Sequence, residues 1–301
     1  MNVSHPIWTE IDWSRLALLR LQARQVAEGV YAGRHRSARR GAGVEFGGYR
    51  EYAPGDDLRW LDRRSLLRHD RLVIRQFETE TDRALCLLVD ASASMGFRGS
   101  NAAGSKLDYA AVLGAALARL ALWGGDPASV SFFGGGPAAP VALSSGRDQF
   151  ERIVAALATA RPGGDAYQDG AMLERALQNL SRATKRGAIV VVLSDLIDLP
   201  PTAAARISAL AHGGRVLTVV QTLDLAEATF PFVGAVRLRA MEGGTVVETD
   251  AETTRDEYLA ALDERTREWR DAVVARGGRF ARAISTDDPV QIVRSIVHGM
   301  R

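Results

Sequence analysis

Three oxygen-bearing side chains stand two residues apart in 84-ALCLLVDASASMG-96: Asp90, Ser92 and Ser94. They follow an unbroken apolar run, the pattern of a buried strand, and so fall at a strand's carboxyl end, where open parallel sheets bind their ligands. One carboxylate with two hydroxyls is a poor set for zinc, which favours nitrogen and sulfur. It suits magnesium, which takes six hard oxygens and keeps several waters. A second run, 187-GAIVVVLSDLID-198, delivers Asp195 in the same way. With the two strands parallel, both carboxylates and both hydroxyls surround one point. Asp and Ser are also ordinary turn and cap residues, because they hydrogen-bond nearby backbone. The strand context is what lifts the motif above that reading.

The elements that must position these residues alternate from about residue 84. Apolar strand-like runs at Ala84–Asp90, Ser129–Phe133, Gly187–Leu193, Arg215–Val220 and Arg279–Ile284 are separated by helix-like stretches. Such alternation predicts an α/β protein of three layers, a mostly parallel sheet with helices on both faces. The helices are expected at Lys106–Trp123, stopped by Gly124 and Gly125, at Asp148–Ala158, at Gly170–Arg182, around Asp256–Arg276, and after a cap at Asp288 with Pro289 in the first turn. Residues 233–249 read as a β-hairpin inserted in this pattern, with Glu242-Gly243-Gly244 as its turn.

Residues 1–83 stand apart from the alternation and are expected to pack on the sheet domain at 84–301. They hold a helix-like stretch over Ser14–Tyr31, a basic Gly-rich segment, and the run 45-EFGGYREYAPGDDLRWLDRRSLLRHDRLVIRQFETE-80. In that run Pro54-Gly55 suits a type II turn, Asp57 caps a short helix through Arg68, and Arg71–Phe77 reads as a strand.

Charge sets limits. The chain has 301 residues, and 38 Lys plus Arg against 36 Asp plus Glu leave a formal charge of only +2. Affinity for a polyanion scales with phosphates neutralised by clustered cations, so a general nucleic-acid binder is disfavoured. The one local exception is Arg34, Arg36, Arg39 and Arg40 with His35, a candidate partner-facing or phosphate-holding loop that lacks interleaved aromatics for base stacking. Arg50, Arg59, Arg63 and Arg64 alternate with Glu51, Asp56, Asp57 and Asp62 and read as a structural ion-pair network. No run reaches the roughly 20 apolar residues of a spanning helix, and the first sixteen residues lack the basic and apolar blocks of an export signal. The single Cys86 cannot form an internal disulfide, so a cytoplasmic setting is expected.

Two enzyme readings compete. In 99-GSNAAGSK-106 the glycines are spaced like a phosphate loop, but Ser105 precedes Lys106, whereas a P-loop needs the lysine first. Alternatively Asp90 is the nucleophile of a Mg2+-dependent phosphoryl transfer, with Asp195 holding the ion. That chemistry wants a second acid where Ser92 stands.

The spacing Asp90-x-Ser92-x-Ser94 after a buried strand, with a later Ser-Asp after another, resembles the metal-ion-dependent adhesion site of von Willebrand factor type A domains. The run 45–80 resembles the signature of a bacterial and archaeal family catalogued as domain of unknown function fifty-eight, whose members carry such a domain behind that segment. The resemblance spans roughly residues 15–300. It implies a non-enzymatic, metal-assisted adaptor that works with AAA+ ATPases of the MoxR type and a client protein, an acidic residue of the partner completing the shell of a Mg2+ or Mn2+ ion. Asp90, Ser92 and Ser94 match the first metal loop and Asp195 the third. The second loop departs from the pattern. Type A domains usually place a Thr there, but 161-RPGGDAYQDGAMLERAL-177 has none, and either Asp165 or Tyr167 takes the position.

Overall fold

The structure, a computed structural model, describes residues 13–32, 45–51, 73–78, 83–136, 138–166, 170–242 and 244–300. It comprises two compact units: Met1–Gly33 with Arg83–Arg301, and Arg34–Asp82.

In the larger unit the first helix, α1 (Trp13–Ala32), buries Leu16, Leu19, Ala23, Val26 and Val30, a stripe at alternating spacings of three and four. In the smaller unit β1 (Glu45–Glu51) pairs antiparallel with β2 (Val73–Glu78), the register shifting between Phe46 and Gly48. Pro54-Gly55 and the helix expected at Asp57–Arg68 lie outside the described residues.

The sheet begins with β3 (Leu85–Asp90), and α2 (Lys106–Trp123) returns the chain to β4 (Ala128–Phe133). Next come β5 (Val141–Ser144), α3 (Gln149–Thr159) and α4 (Gly170–Ala183), then β6 (Ile189–Ser194), α5 (Ala203–Ser208) and β7 (Val216–Leu223). After β7 follow α6 (Leu225–Thr229), the hairpin strands β8 (Ala235–Arg239) and β9 (Val246–Asp250), α7 (Ala251–Val274), β10 (Arg279–Ile284) and α8 (Pro289–Gly299). The strand order is β10-β7-β6-β3-β4-β5, with every pair parallel except β4 with β5. This is the three-layer α/β fold expected from the alternation, a mostly parallel sheet with helices on both faces. β3 lies between β4 and β6, so successive crossovers leave it in opposite directions. The switch point of the sheet thus lies at the carboxyl ends of β3 and β6.

Both sheet faces are covered, and β3 shows how. Leu85, Leu87 and Val89 point into a core shared with α1, α2, α3 and α8, while Cys86 and Leu88 point into a second core with α4, α5 and Trp269 and Val273 of α7. A strand buried on both faces must be apolar throughout, which is why ALCLLV reads as a continuous run. Three elements escape periodicity: β5 and α6 are only four and five residues long, and α5 only six. β7 also runs three residues beyond its expected end at Val220.

Candidate functional site

The chain turns sharply after β3. Ser92 N donates to Asp90 Oδ1 (2.8 Å), residues 93–96 form a 3-10 turn, and the Ser92 and Ser94 hydroxyl oxygens come within 3.1 Å of each other. Asp90 and Ser92 are 0% and 1% exposed. The close approach of neighbouring loops requires two glycines. Gly134 and Gly135, just past β4, have φ of +70° and +64°, and a Cβ on Gly135 would lie 2.5 Å from both the Ala91 and Arg161 carbonyl oxygens. Gly163 N donates to Ala91 O (3.0 Å) and Ala93 N to Gly164 O (3.2 Å), so the loop before α4 lies against the first one.

β6 supplies the opposite wall. Ser194 Oγ donates to Asp90 Oδ2 (2.6 Å) and accepts from Leu196 N (3.0 Å). Asp195 is 1% exposed; its Oδ1 accepts from Ile197 N (3.1 Å) and its Oδ2 from Lys106 Nζ (2.7 Å). Lys106, fully buried at the start of α2, also donates to Glu227 Oε1 (2.6 Å). Glu227 is fixed in turn by a capping box, its Oε2 accepting from Asp224 N (2.9 Å). The lysine of GSNAAGSK therefore points into the protein and ends in an ion-paired cluster, while Ser105 caps α2 through Asp108 N.

Electrostatics follow from burial. Desolvation, and then the charge of Asp195, push the Asp90 carboxyl up to about 7 against the hydrogen bonds from Ser194 and Ser92. Burial alone would lower Lys106, but the charges and hydrogen bonds of Asp195 and Glu227 outweigh it and hold the ammonium charged. One cation thus serves two buried carboxylates, and among the described residues none is paired with Asp90. Asp198 is also raised, by burial and by Asp195.

Among the described residues no group of three or more His, Cys, Asp or Glu is placed to hold a metal. A dication here would have to draw on the hydroxyls as well as the carboxylates. Ser92 and Ser94 converge beside two carboxylates, and negative charge exceeds what Lys106 neutralises. Hard oxygens of this kind are the donors that Mg2+ or Mn2+ takes, rather than zinc.

Asp90, Ser92, Ser94 and Asp195 thus come together at one rim. Asp165 is half-buried on the adjacent loop, and its charge reaches Asp198. Tyr167 and the basic cluster Arg34, Arg36, Arg39 and Arg40 lie outside the described residues. Sequence reasoning overlooked four contributors: Ser194, Lys106 as an ion-pair partner, Glu227, and Glu242 of the hairpin turn. Glu242 Oε2 accepts from Ala166 N (3.1 Å) and its Oε1 from Ser94 N (3.4 Å). Of these, Glu227 left a legible signal, the Asp-x-x-Glu spacing of a capping box at 224–227.

A family model described as "Protein of unknown function DUF58" matches residues 48–268. The uncharacterized protein Rv1480 of Mycobacterium tuberculosis (strain ATCC 25618 / H37Rv) is 30% identical over 257 residues, covering 84% of this chain and 79% of its own. Among solved structures, the conserved hypothetical protein BatB from Bacteroides thetaiotaomicron aligns at TM-score 0.43 and 14% identity over 72% of this chain and 98% of its own. The SpRpn10 VWA domain aligns at TM-score 0.39 and 9% identity over 70% and 93%. The match over most of the signature run and the sheet unit, together with the mycobacterial relative, means that this chain belongs to the DUF58 family.

Proposed function

We propose that this protein is a non-enzymatic, metal-assisted interaction adaptor that works with an AAA+ ATPase of the MoxR type in the assembly or maturation of another protein complex. The observation that carries the interaction role is the convergence of Asp90, Ser92, Ser94 and Asp195 at the switch-point rim. In this reading Ser92 and Ser94 hold Mg2+ directly, Asp90 and Asp195 orient its waters, and Asp165 is the second-loop ligand. A dication with an incomplete oxygen shell supplies a site for a carboxylate of the partner. Both Asp90 oxygens already accept hydrogen bonds in a fully buried setting, which blunts the carboxylate as a nucleophile and favours binding over phosphoryl transfer. The ATPase partnership rests on the family resemblance alone.

Two measurements test this. Mg2+ or Mn2+ should raise the melting temperature of the wild type and not of the Ser92→Ala/Ser94→Ala double variant; an equal response in both refutes the metal site. Co-purification from the native cell should recover an AAA+ ATPase, and its repeated absence sinks the partnership.

A further inference from the structure

The hairpin β8–β9 is poorly buried along its stem. Val233, Val246 and Val247 are all exposed, and its cross-strand pair Arg237–Glu248 is a solvent-facing contact at 3.7 Å. An isolated two-stranded hairpin is marginal in water, so its placement depends on its ends. The base is tied by Ala251 N to Gly234 O (2.9 Å) and Gly234 N to Glu252 Oε2 (3.2 Å). At the tip the tie is Glu242. Its carboxylate bridges the two loops of the rim, accepting from Ser94 N (3.4 Å) and Ala166 N (3.1 Å). Met241 beside it covers the 3-10 turn, its methyl lying 3.8 Å from where a Cβ on Gly96 would sit. The backbone of the serine loop is therefore already met by a carboxylate of the same chain, and Ser92 and Ser94 are only 1% and 6% exposed.

We propose that Glu242 is an internal stand-in for the partner's acidic residue: it closes the rim in the free protein, and an acidic side chain of the partner displaces it and frees the hairpin tip. The inference rests on the interaction-site reading above and adds what occupies that site beforehand. Displacement is an exchange of like for like, one carboxylate for another on the same donors. Its cost is confined to a solvent-exposed stem, so a modest surplus of partner contacts suffices to drive it.

The test uses the full chain and, as probe, a fluorescent peptide copying residues 237–247, with a second peptide in which its glutamate is glutamine. Glu242→Ala should bind the glutamate peptide at least about tenfold tighter than wild type, because the charge-assisted hydrogen bonds are vacated in the variant and occupied in the wild type. The glutamine peptide should bind neither. Glu248→Ala, on the exposed stem, should behave as wild type. Hydrogen exchange in peptides spanning 91–97 and 235–250 should quicken in Glu242→Ala alone. Equal peptide affinity and equal exchange in Glu242→Ala and wild type overturn the proposal. Peptide capture by Glu242→Ala that is indifferent to Mg2+ upholds the internal ligand while removing the metal bridge, so the two readings fail separately.

Discussion

The Lys106 ammonium lies 2.7 Å from Asp195 Oδ2, and neither side chain is more than 1% exposed. The pair joins the first turn of α2 to the end of β6, so the rim is held by an ion pair as well as by the sheet. Removing one member of a buried pair leaves an uncompensated charge, and here two carboxylates depend on the same cation. Lys106→Met should therefore cost about 3–5 kcal/mol of unfolding free energy in a urea titration. Adding Asp195→Asn should return part of that loss, a non-additivity expected of groups in contact. Additive losses would show that the ion pair is not energetically coupled.

Gly135 is the strictest backbone position at the site. Its φ of +64° disfavours a Cβ, and that Cβ would press on two carbonyl oxygens of adjoining loops. Gly135→Ala should destabilise the fold by about 3 kcal/mol, since strain and overpacking add. Gly125→Ala is the control: φ is +88° but nothing lies within 4 Å, so only backbone strain of about 1 kcal/mol should appear. Thermal denaturation of both variants decides whether the loop contact matters.

Asp224 gathers three donors from separate elements: Gly99 N (3.0 Å), Ala226 N (2.8 Å) and Ser285 Oγ (3.0 Å). Asp224→Ala should lose the cap of α6 and leave the other donors poorly satisfied, costing about 2–4 kcal/mol. Asp224→Ser, which keeps a capping oxygen, should recover part of it. Urea midpoints for the two variants are the readout.

An acid-side effect is expected at Asp108, in the first turn of α2 where it meets Arg15 of α1. Burial alone would raise this carboxyl, but hydrogen bonds from Ser105 and the nearby Arg15 guanidinium outweigh that and hold it below its ordinary 3.8. A lowered folded-state pKa contributes stability that is present above the ordinary value and lost as pH falls through the lowered one. Wild-type stability should thus fall below about pH 4 more steeply than that of Asp108→Asn, as unfolding curves across that range will show. Parallel curves would remove Asp108 from the acid response.

The buried strands were readable because burial on both faces leaves an apolar run with no ambiguity of face, as in Leu85–Val89 and Ile189–Leu193. Asp90, Ser92, Ser94 and Asp195 were readable because they end such runs. Lys106 was not: a lysine after a glycine-rich stretch looks solvent-facing, and its inward turn depends on Asp195, 89 residues away. Glu242 is further beyond local pattern, since its contact with Ser94 spans 148 residues and nothing in Glu-Gly-Gly beyond a turn is encoded nearby. The short edge strand β5 was missed for a different reason, as Val141–Ser144 completes no recognisable alternation.

α1 and α8 sit side by side, with Arg294 Nη2 donating to Gly29 O across 265 residues (3.2 Å) and Val290 packed at Gly29. On a ribosome the helix made early must wait for the helix made late, with its stripe from Leu16 to Val30 only partly covered meanwhile. The layer that α1 completes thus closes only once α8 has been made, and until then it is a layer that a nascent-chain chaperone would meet open.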